Sequence, residues 1–447
     1  MATVAIIGTC DTKLEELLFL RDRILEHSGL GVILIDVGRN PVQHEAITIP
    51  LQELMDEYHK HHLGPKPDHL GLPRAELLGY LGNCAIKTVK NLSHTIHGII
   101  AAGGSGNTSL ATRVMRSALP IGFPKLVVST VASGDTSAYV GESDIAMLPS
   151  IVDIAGLNYV LRAVLTNAAN MIAGAALGYA AVPEKERRIE DSVKRIGITM
   201  FGVTTPAVET IRNHLTEKYP GRFEVLVFHA TGTGGEAMEG LINSGKIDGV
   251  IDLTTTEICD LVAGGNMSAG PDRLLPAVEM DIPCIVSLGA TDMVNFGAKN
   301  TVPERYKDRK LYEHNSAVTL MRVDKEEARK IAQHISWCLS LVEIYELVEL
   351  WIPKGGVSIM SKDGGVFEDK EVDAVLFNGL KEGLEGGLVT VKEDERDIND
   401  EGFARDLADA FVKLMDKAVV PSWERPRKTL SPRSERGKTG RVGRKVS

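Results

Sequence analysis

The chain has few cysteines, and nothing in their placement would staple it or hold a metal. Its five, Cys10, Cys84, Cys259, Cys284 and Cys338, are odd in number, and none lies nearer than 25 residues to the next. That spacing argues against a zinc knuckle or a disulfide framework and suits a reducing compartment. Long apolar runs are missing too. The first, Val4 to Gly8, is too short for a signal peptide or a membrane span, and no uninterrupted stretch of about 18 apolar residues follows it. The expectation is a cytoplasmic protein without a membrane partner. Positive charge is also in deficit: the formal net charge is −10, whereas a general nucleic-acid binder needs surplus Lys and Arg to neutralise phosphates. Finally, the chain has no Gly-x-Ser-x-Gly elbow and no CxxC pair, and its glycine loop at 103–108 lacks the Gly-Lys-Ser/Thr ending. Standard hydrolase, redox and Walker A labels therefore have no support.

What is present is an ordinary globular balance, 43% hydrophobic and 25% charged over 447 residues, which is enough for two domains with a core each. The opening reads as β-turn-α-β: apolar Thr3 to Gly8, a turn, an amphipathic run Lys13 to His27, then apolar Val32 to Asp36. A His- and Pro-rich stretch, Gln52 to Pro73, reads as an insertion, followed by a helix from Arg74 to Leu92. Strands are expected at Gly98 to Ala102, Lys125 to Thr130 and Asp144 to Leu148, and a small-residue helix at Gly156 to Tyr179. The rhythm restarts at Ile196, with strands at Glu224 to Phe228, Gly249 to Leu253 and Cys284 to Ser287. Asp324 is placed as the N-cap of a helix running to Leu341. The fold class that follows is α/β, two Rossmann-like doubly wound domains with mostly parallel sheets, at residues 1–185 and 186–420. From residue 421 onward nine Lys or Arg stand against two Glu, the composition of a disordered basic tail and the one place where nucleic acid is a candidate partner.

The loops after strands carry the chemistry. Gly103, Gly104, Ser105, Gly106, Asn107 and Thr108 lie between a buried strand and a helix, where glycine lets backbone amides approach an anion and the helix N-terminus favours negative charge. The bland reading is a tight turn. Thr9, Asp11, Thr12 and Lys13 form a second such loop: Lys13 can pair with phosphate, while Asp11 can hold Mg²⁺ through water or cap the helix. Asp36 ends the next strand, where an acid can receive ribose hydroxyls or simply start a loop. Ser133, Gly134, Asp135, Thr136 and Ser137 follow a third strand and can meet phosphate, ribose, a metal or a base edge, or form a Ser/Thr turn. In the second half, Thr231 to Gly235 is another glycine turn, but Glu236 and Glu239 follow it and repel phosphate. With Glu257, Asp260 and Asp292 they can receive a cationic or hydroxyl-rich group or a cation, supply acid-base chemistry, or be solvated loop carboxylates. His59, His61, His62 and His69 read as a surface loop.

Taken together, Ile7 to Lys13, Asp36 to Gly38, Gly103 to Thr108 and Ser133 to Ser137 resemble the ATP-binding domain family named for the tomato mosaic virus resistance protein. The resemblance runs to about residue 420, taking in His229 to Gly235 and Ser287 to Phe296, and leaves the basic tail outside. It implies two Rossmann-like subdomains, ATP with Mg²⁺ on the first, homodimers or tetramers, and in some relatives a TIM-barrel partner. The plant namesake acts against a viral replication protein, but no residue here points to such a target. Three functions are open at this point: an ATP-binding protein whose nucleotide supports oligomer or partner assembly, an ATP-dependent kinase or ligase holding a small metabolite between its domains, and a sugar-phosphate enzyme. Catalytic and metal-ligating residues are left unassigned.

Overall fold

The computed structural model describes residues 1–60, 66–183 and 192–418. The basic tail, His61, His62 and the charged link at 184–188 lie outside the described residues. The chain divides into two compact units, residues 1–189 and 190–447.

In the first unit, β1 (Ala2–Gly8), β2 (Leu30–Asp36), β3 (Gly98–Gly103), β4 (Lys125–Ser129) and β5 (Ala146–Pro149) form a sheet in the order β2-β1-β3-β4-β5. All of its pairings are parallel; Ile7 faces Ile35 on one side and Ala101 on the other. Helices cover both faces, so both alternating sets of side chains are apolar. Ala5 and Ile7 join Leu54, Leu81, Cys84 and Met115 from α2 (Leu51–His59), α3 (Arg74–Leu92) and α4 (Ser105–Ala118). Val4 and Ile6 join Leu17, Leu20, Leu161 and Leu165 from α1 (Cys10–Leu25) and, beyond the short α5 (Ser137–Val140), α6 (Tyr159–Ala181). The small residues of α6 serve close packing: a Cβ placed on Gly98 would sit 3.2 Å from the Ala176 Cβ. By length and composition alone α6 is apolar enough to cross a membrane; in this fold its Leu161, Leu165, Ala169, Ile172 and Ala176 are buried.

The second unit is built on β6 (Lys194–Met200), β7 (Phe223–His229), β8 (Gly249–Thr254), β9 (Cys284–Gly289), β13 (Val348–Pro353) and β14 (Thr390–Asp394). These form a parallel sheet in the order β14-β13-β9-β8-β6-β7. One face packs on α7 (Thr205–Lys218) and α13 (Glu401–Lys417) through Ile198, Leu253, Ile211, Phe403 and Phe411. The other face carries α8 (Thr233–Asn243), α9 (Thr256–Ala263), α10 (Leu275–Glu279), α11 (Lys325–Leu339) and α12 (Lys370–Gly383). Asp324 caps α11 as its sequence position suggests, accepting from the Glu326 and Glu327 amides at 2.9 and 2.8 Å. An antiparallel sheet of β10 (Met293–Phe296), β12 (Val318–Arg322) and β11 (Leu311–Asn315) was not expected; its strands are short and interrupted by polar turns.

Candidate functional site

Strand order in the first unit reverses between β1 and β3, and in open parallel sheets that reversal leaves a crevice at the strands' C-terminal ends. A cleft of about 490 Å³ lies there, lined from one side by Thr9, Asp11, Thr12 and Lys13 and from the other by Gly103 to Asn107. Its size is in the range of small-molecule sites, roughly 300–1,000 Å³.

The loop after β1 is a closed turn: the Thr9 carbonyl accepts from the Thr12 and Lys13 amides at 3.1 and 3.0 Å. Lys13 itself leaves helical geometry (φ −136°, ψ 21°), which breaks α1 after its first turn. Asp11 binds the neighbouring loop, its Oδ2 accepting from the amides of Arg39 and Asn40, both at 3.0 Å. Asp36 is fully buried, and its Oδ1 accepts from the Cys10 amide at 3.0 Å and the Gly38 amide at 2.8 Å. It thus closes the N-terminus of α1 and is not among the residues lining the cleft, while its Oδ2 has no partner. Burial pushes its carboxyl up against the pull of the two amides. Burial beside Asp36 also pushes the Cys10 thiol up, so it is a poor nucleophile.

The loop after β3 is different, because no side chain caps α4. The first bond of its ladder runs from the Thr108 amide to the Gly104 carbonyl at 2.9 Å, which leaves Ser105, Gly106 and Asn107 as the orphan amide donors of that helix end. Gly103 is required by packing, since a Cβ there would lie 2.8 Å from that of Asn107. Gly104 is not: its backbone is extended (φ −79°, ψ −172°), and a Cβ would meet only the Thr130 Oγ1, at 3.8 Å. Asn107 donates to the Ala102 carbonyl at 3.0 Å, and its buried Oδ1 has no partner among the described residues. Thr108 is buried and holds the loop, sharing a 2.6 Å hydrogen bond with Ser129.

The third loop stands apart. Ser133 lines a separate cavity with Thr130 and residues 149–153, and none of Ser133 to Ser137 lines the first cleft. Asp135 is exposed, and hydrogen bonds from the Ser137 hydroxyl and then from the Ser137 amide, at 2.9 Å, pull its carboxyl down. Two of the three loops therefore meet.

Two cations lining the cleft were not read from the sequence. Arg39 comes just after Asp36-Val37-Gly38, and Arg74 begins α3 at the end of the stretch read as an insertion. Neither position carries a local signal; the tertiary fold brings both to the cleft. With Lys13 they set three positive charges against one carboxylate, Asp11. Val37, Leu77, Leu78 and Leu81 supply an apolar wall. His69 touches the Arg39 carbonyl at 3.1 Å, and His59 bonds the Tyr80 hydroxyl at 2.9 Å. Among the described residues no group of three His, Cys, Asp or Glu side chains could hold a metal ion.

In the second unit the glycine turn is already occupied from within. Glu257 Oε1 accepts from the Gly232 and Gly235 amides at 2.8 and 3.1 Å. Its Oε2 takes the Arg273 Nε at 2.6 Å. Arg273 is fully buried and also holds Asp252 at 2.5 and 2.7 Å and Glu239 at 3.5 Å. Glu239 Oε2 has no partner, and burial pushes this carboxyl up to about 8. Asp260 accepts from the Met267 and Asn295 amides at 2.8 and 2.7 Å, and Asp292 accepts from the Ser358 hydroxyl at 2.8 Å. Burial raises both, to about 7 and about 6. Glu239, Glu257, Asp260 and Asp292 are thus interior groups, not loop carboxylates open to a substrate; Glu236 is half-buried on the first turn of α8.

The families described as "Uncharacterised protein family (UPF0261)", N-terminal and C-terminal domain, match residues 2–181 and 193–415. A UPF0261 protein of Clostridium tetani is 45% identical over 423 residues, covering 93% of this chain and 99% of its own length. The ToMV resistance protein Tm-1(GCR237) of Solanum lycopersicum is 38% identical over 428 residues, 92% of this chain; this chain spans only 56% of the tomato protein. Among solved structures, UDP-GlcNAc 2-epimerase from Neisseria meningitidis is 12% identical, covering 93% of this chain and 100% of that one, with a TM-score of 0.20. MurG from Acinetobacter baumannii is 10% identical, covering 92% and 99%, with a TM-score of 0.22. Likenesses this weak assign no activity.

Proposed function

We propose, for a chain that belongs to the UPF0261 family, that the first unit binds ATP with Mg²⁺ in the β1/β3 cleft. The observation that carries this reading is the uncapped N-terminus of α4 facing Lys13, Arg39 and Arg74 across the point where the strand order reverses. Orphan amides, a helix dipole and three cations suit a polyphosphate. The wall of Val37, Leu77, Leu78 and Leu81 suits the base, and the unpartnered Asn107 Oδ1 offers an acceptor for a hydroxyl or amine. Asp11 is the carboxylate in the cleft that Mg²⁺ could reach, and this ion is commonly held by one or two carboxylates together with substrate phosphates. Its charge would offset the phosphates; orientation and exclusion of water fall to the loops.

A binding role is favoured over turnover, because the second unit's candidate acids are buried and engaged internally. In this reading ATP supports a homodimer or tetramer, or a surface for a partner, through linkage: saturation at a hundred times Kd stabilises the bound form by about 2.7 kcal/mol. Calorimetric titration of nucleotide-free protein with ATP and Mg²⁺, run beside light scattering, is the test. Absence of binding would end the reading, and binding with unchanged oligomer size and thermal stability would end its assembly part.

A further inference from the structure

We propose that Arg39 is a latch through which an occupied cleft releases the strap formed by residues 68–72, a proposal that rests on the anion-binding reading of the cleft. The strap has no regular secondary structure. Two of its tertiary hydrogen bonds come from one guanidinium: Arg39 Nη1 to the Leu70 carbonyl at 2.8 Å and Nη2 to the Leu72 carbonyl at 3.1 Å. A third joins the His69 ring to the Arg39 carbonyl at 3.1 Å. Within the strap, the Gly71 and Leu72 amides close turns on Asp68 and His69 at 3.2 and 3.4 Å. Leu70 is 52% exposed, and Leu72, half-buried against the core, is the strap's apolar anchor beside these hydrogen bonds.

Arg39 also lines the cleft. Among the described residues no carboxylate pairs with it, so its charge is met only by neutral carbonyls. A phosphate offers it charge-assisted, bidentate hydrogen bonds, roughly twice as strong as neutral ones. The backbone of Arg39 is fixed meanwhile, its amide held by Asp11 at 3.0 Å. Only the side chain has to swing, from two carbonyls to an anion in the cleft that Arg39 lines. An incoming phosphate thus removes two of the three tertiary hydrogen bonds that the strap makes among the described residues, without disturbing the loop that carries Arg39. The 68–72 segment then becomes a surface whose order reports whether the cleft is filled.

Hydrogen exchange followed by mass spectrometry on the full chain tests this, with calorimetry on the same samples. The probes are ATP with Mg²⁺ and inorganic tripolyphosphate, applied to the wild type, Arg39→Gln and Arg39→Lys. In the wild type, a bound anion should speed exchange at Gly71 and Leu72 by about tenfold, the scale of losing two neutral hydrogen bonds. Both variants should exchange quickly without ligand and show no further change with it; Arg39→Lys keeps the charge but lacks the planar fork that reaches the Leu70 and Leu72 carbonyls together. Acceleration by tripolyphosphate without any ATP binding upholds the latch and removes the nucleotide reading. ATP that binds while wild-type exchange stays the same or slows overturns the latch and leaves the nucleotide reading standing. If neither anion binds, both fall.

Discussion

Replacing Gly104 by alanine separates a glycine kept for a ligand from one kept for the fold. At φ −79° and ψ −172° the backbone is extended, a conformation open to any residue. The added methyl would find only the Thr130 Oγ1, at 3.8 Å, an ordinary van der Waals contact. Folding therefore loses nothing, and the stiffer unfolded chain should raise stability by about 0.4–1 kcal/mol. Binding should suffer, because the methyl stands beside the orphan amides of Ser105 to Asn107, where a phosphate oxygen has to approach. Loss of one hydrogen bond to a charged group, about 1.5–3 kcal/mol, weakens affinity roughly 10- to 150-fold. The assay is calorimetric titration with ATP and Mg²⁺, with thermal unfolding as the control for folding. Gly234→Ala in the other unit supplies the contrast: its Cβ would be built 1.8 Å from the His229 carbonyl oxygen, so that variant should be clearly destabilised. A Gly104→Ala protein that melts like the wild type and binds ATP equally well would refute the placement of phosphate on α4.

Lys13→Ala should weaken ATP binding by about 1.5–3 kcal/mol through loss of a charge-assisted contact, measured by the same titration. Arg273→Met strands the buried carboxylates of Asp252, Glu257 and Glu239 without their cation and should cost about 3–5 kcal/mol; urea unfolding followed by the fluorescence of Trp337 and Trp351, both in the second unit, reads it out. For pH the sign follows from Glu239, whose carboxyl is raised by burial from 4.5 to about 8. The folded state keeps that proton longer than the unfolded chain, so this contribution is complete below pH 4.5 and is lost as pH rises towards 8, at up to about 1.4 kcal/mol per pH unit. Glu239→Gln should flatten that part of the stability profile, and an unchanged slope would show that Glu239 does not titrate there.

The parallel sheets were legible because a strand buried on both faces writes a continuous apolar run, as in Val4 to Ile7 or Ile99 to Ala102. The glycine loops were legible because they directly follow those runs. Spacing could not say which way a side chain turns. Asp36 stands where a ribose acceptor is expected, yet two amides draw it inward. Arg74 reaches the cleft only through the fold of the insertion before it, a long-range packing outcome with no local signature. The antiparallel strands at 293–322 were lost for a related reason: they are short, and the exposed Tyr312 to Asn315 has no apolar alternation strong enough to mark a strand.

The N-terminal ends of α1, α4 and α8 share one design. α1, α4 and α8 each begin after a parallel strand at a tight turn, so each presents orphan amides and a positive dipole end. At α1 the anion is Asp36, delivered by the neighbouring strand; at α8 it is Glu257, held in turn by Arg273. In both places the protein supplies the carboxylate, and glycine is kept to make room for it: a Cβ on Gly38 would lie 2.5 Å from Asp11 Oδ1 and 3.1 Å from Asp36 Oδ1, and one on Gly235 would lie 2.2 Å from Glu257 Oε2. At α4 no carboxylate among the described residues caps the helix, Gly104 has room for a side chain it does not carry, and the charges lining the cleft are those of Lys13, Arg39 and Arg74 against the one carboxylate of Asp11. A helix end that the fold leaves uncapped, beside cations that pair with no carboxylate among the described residues, is electrostatically incomplete by itself, and an anion from solution is the simplest way to complete it.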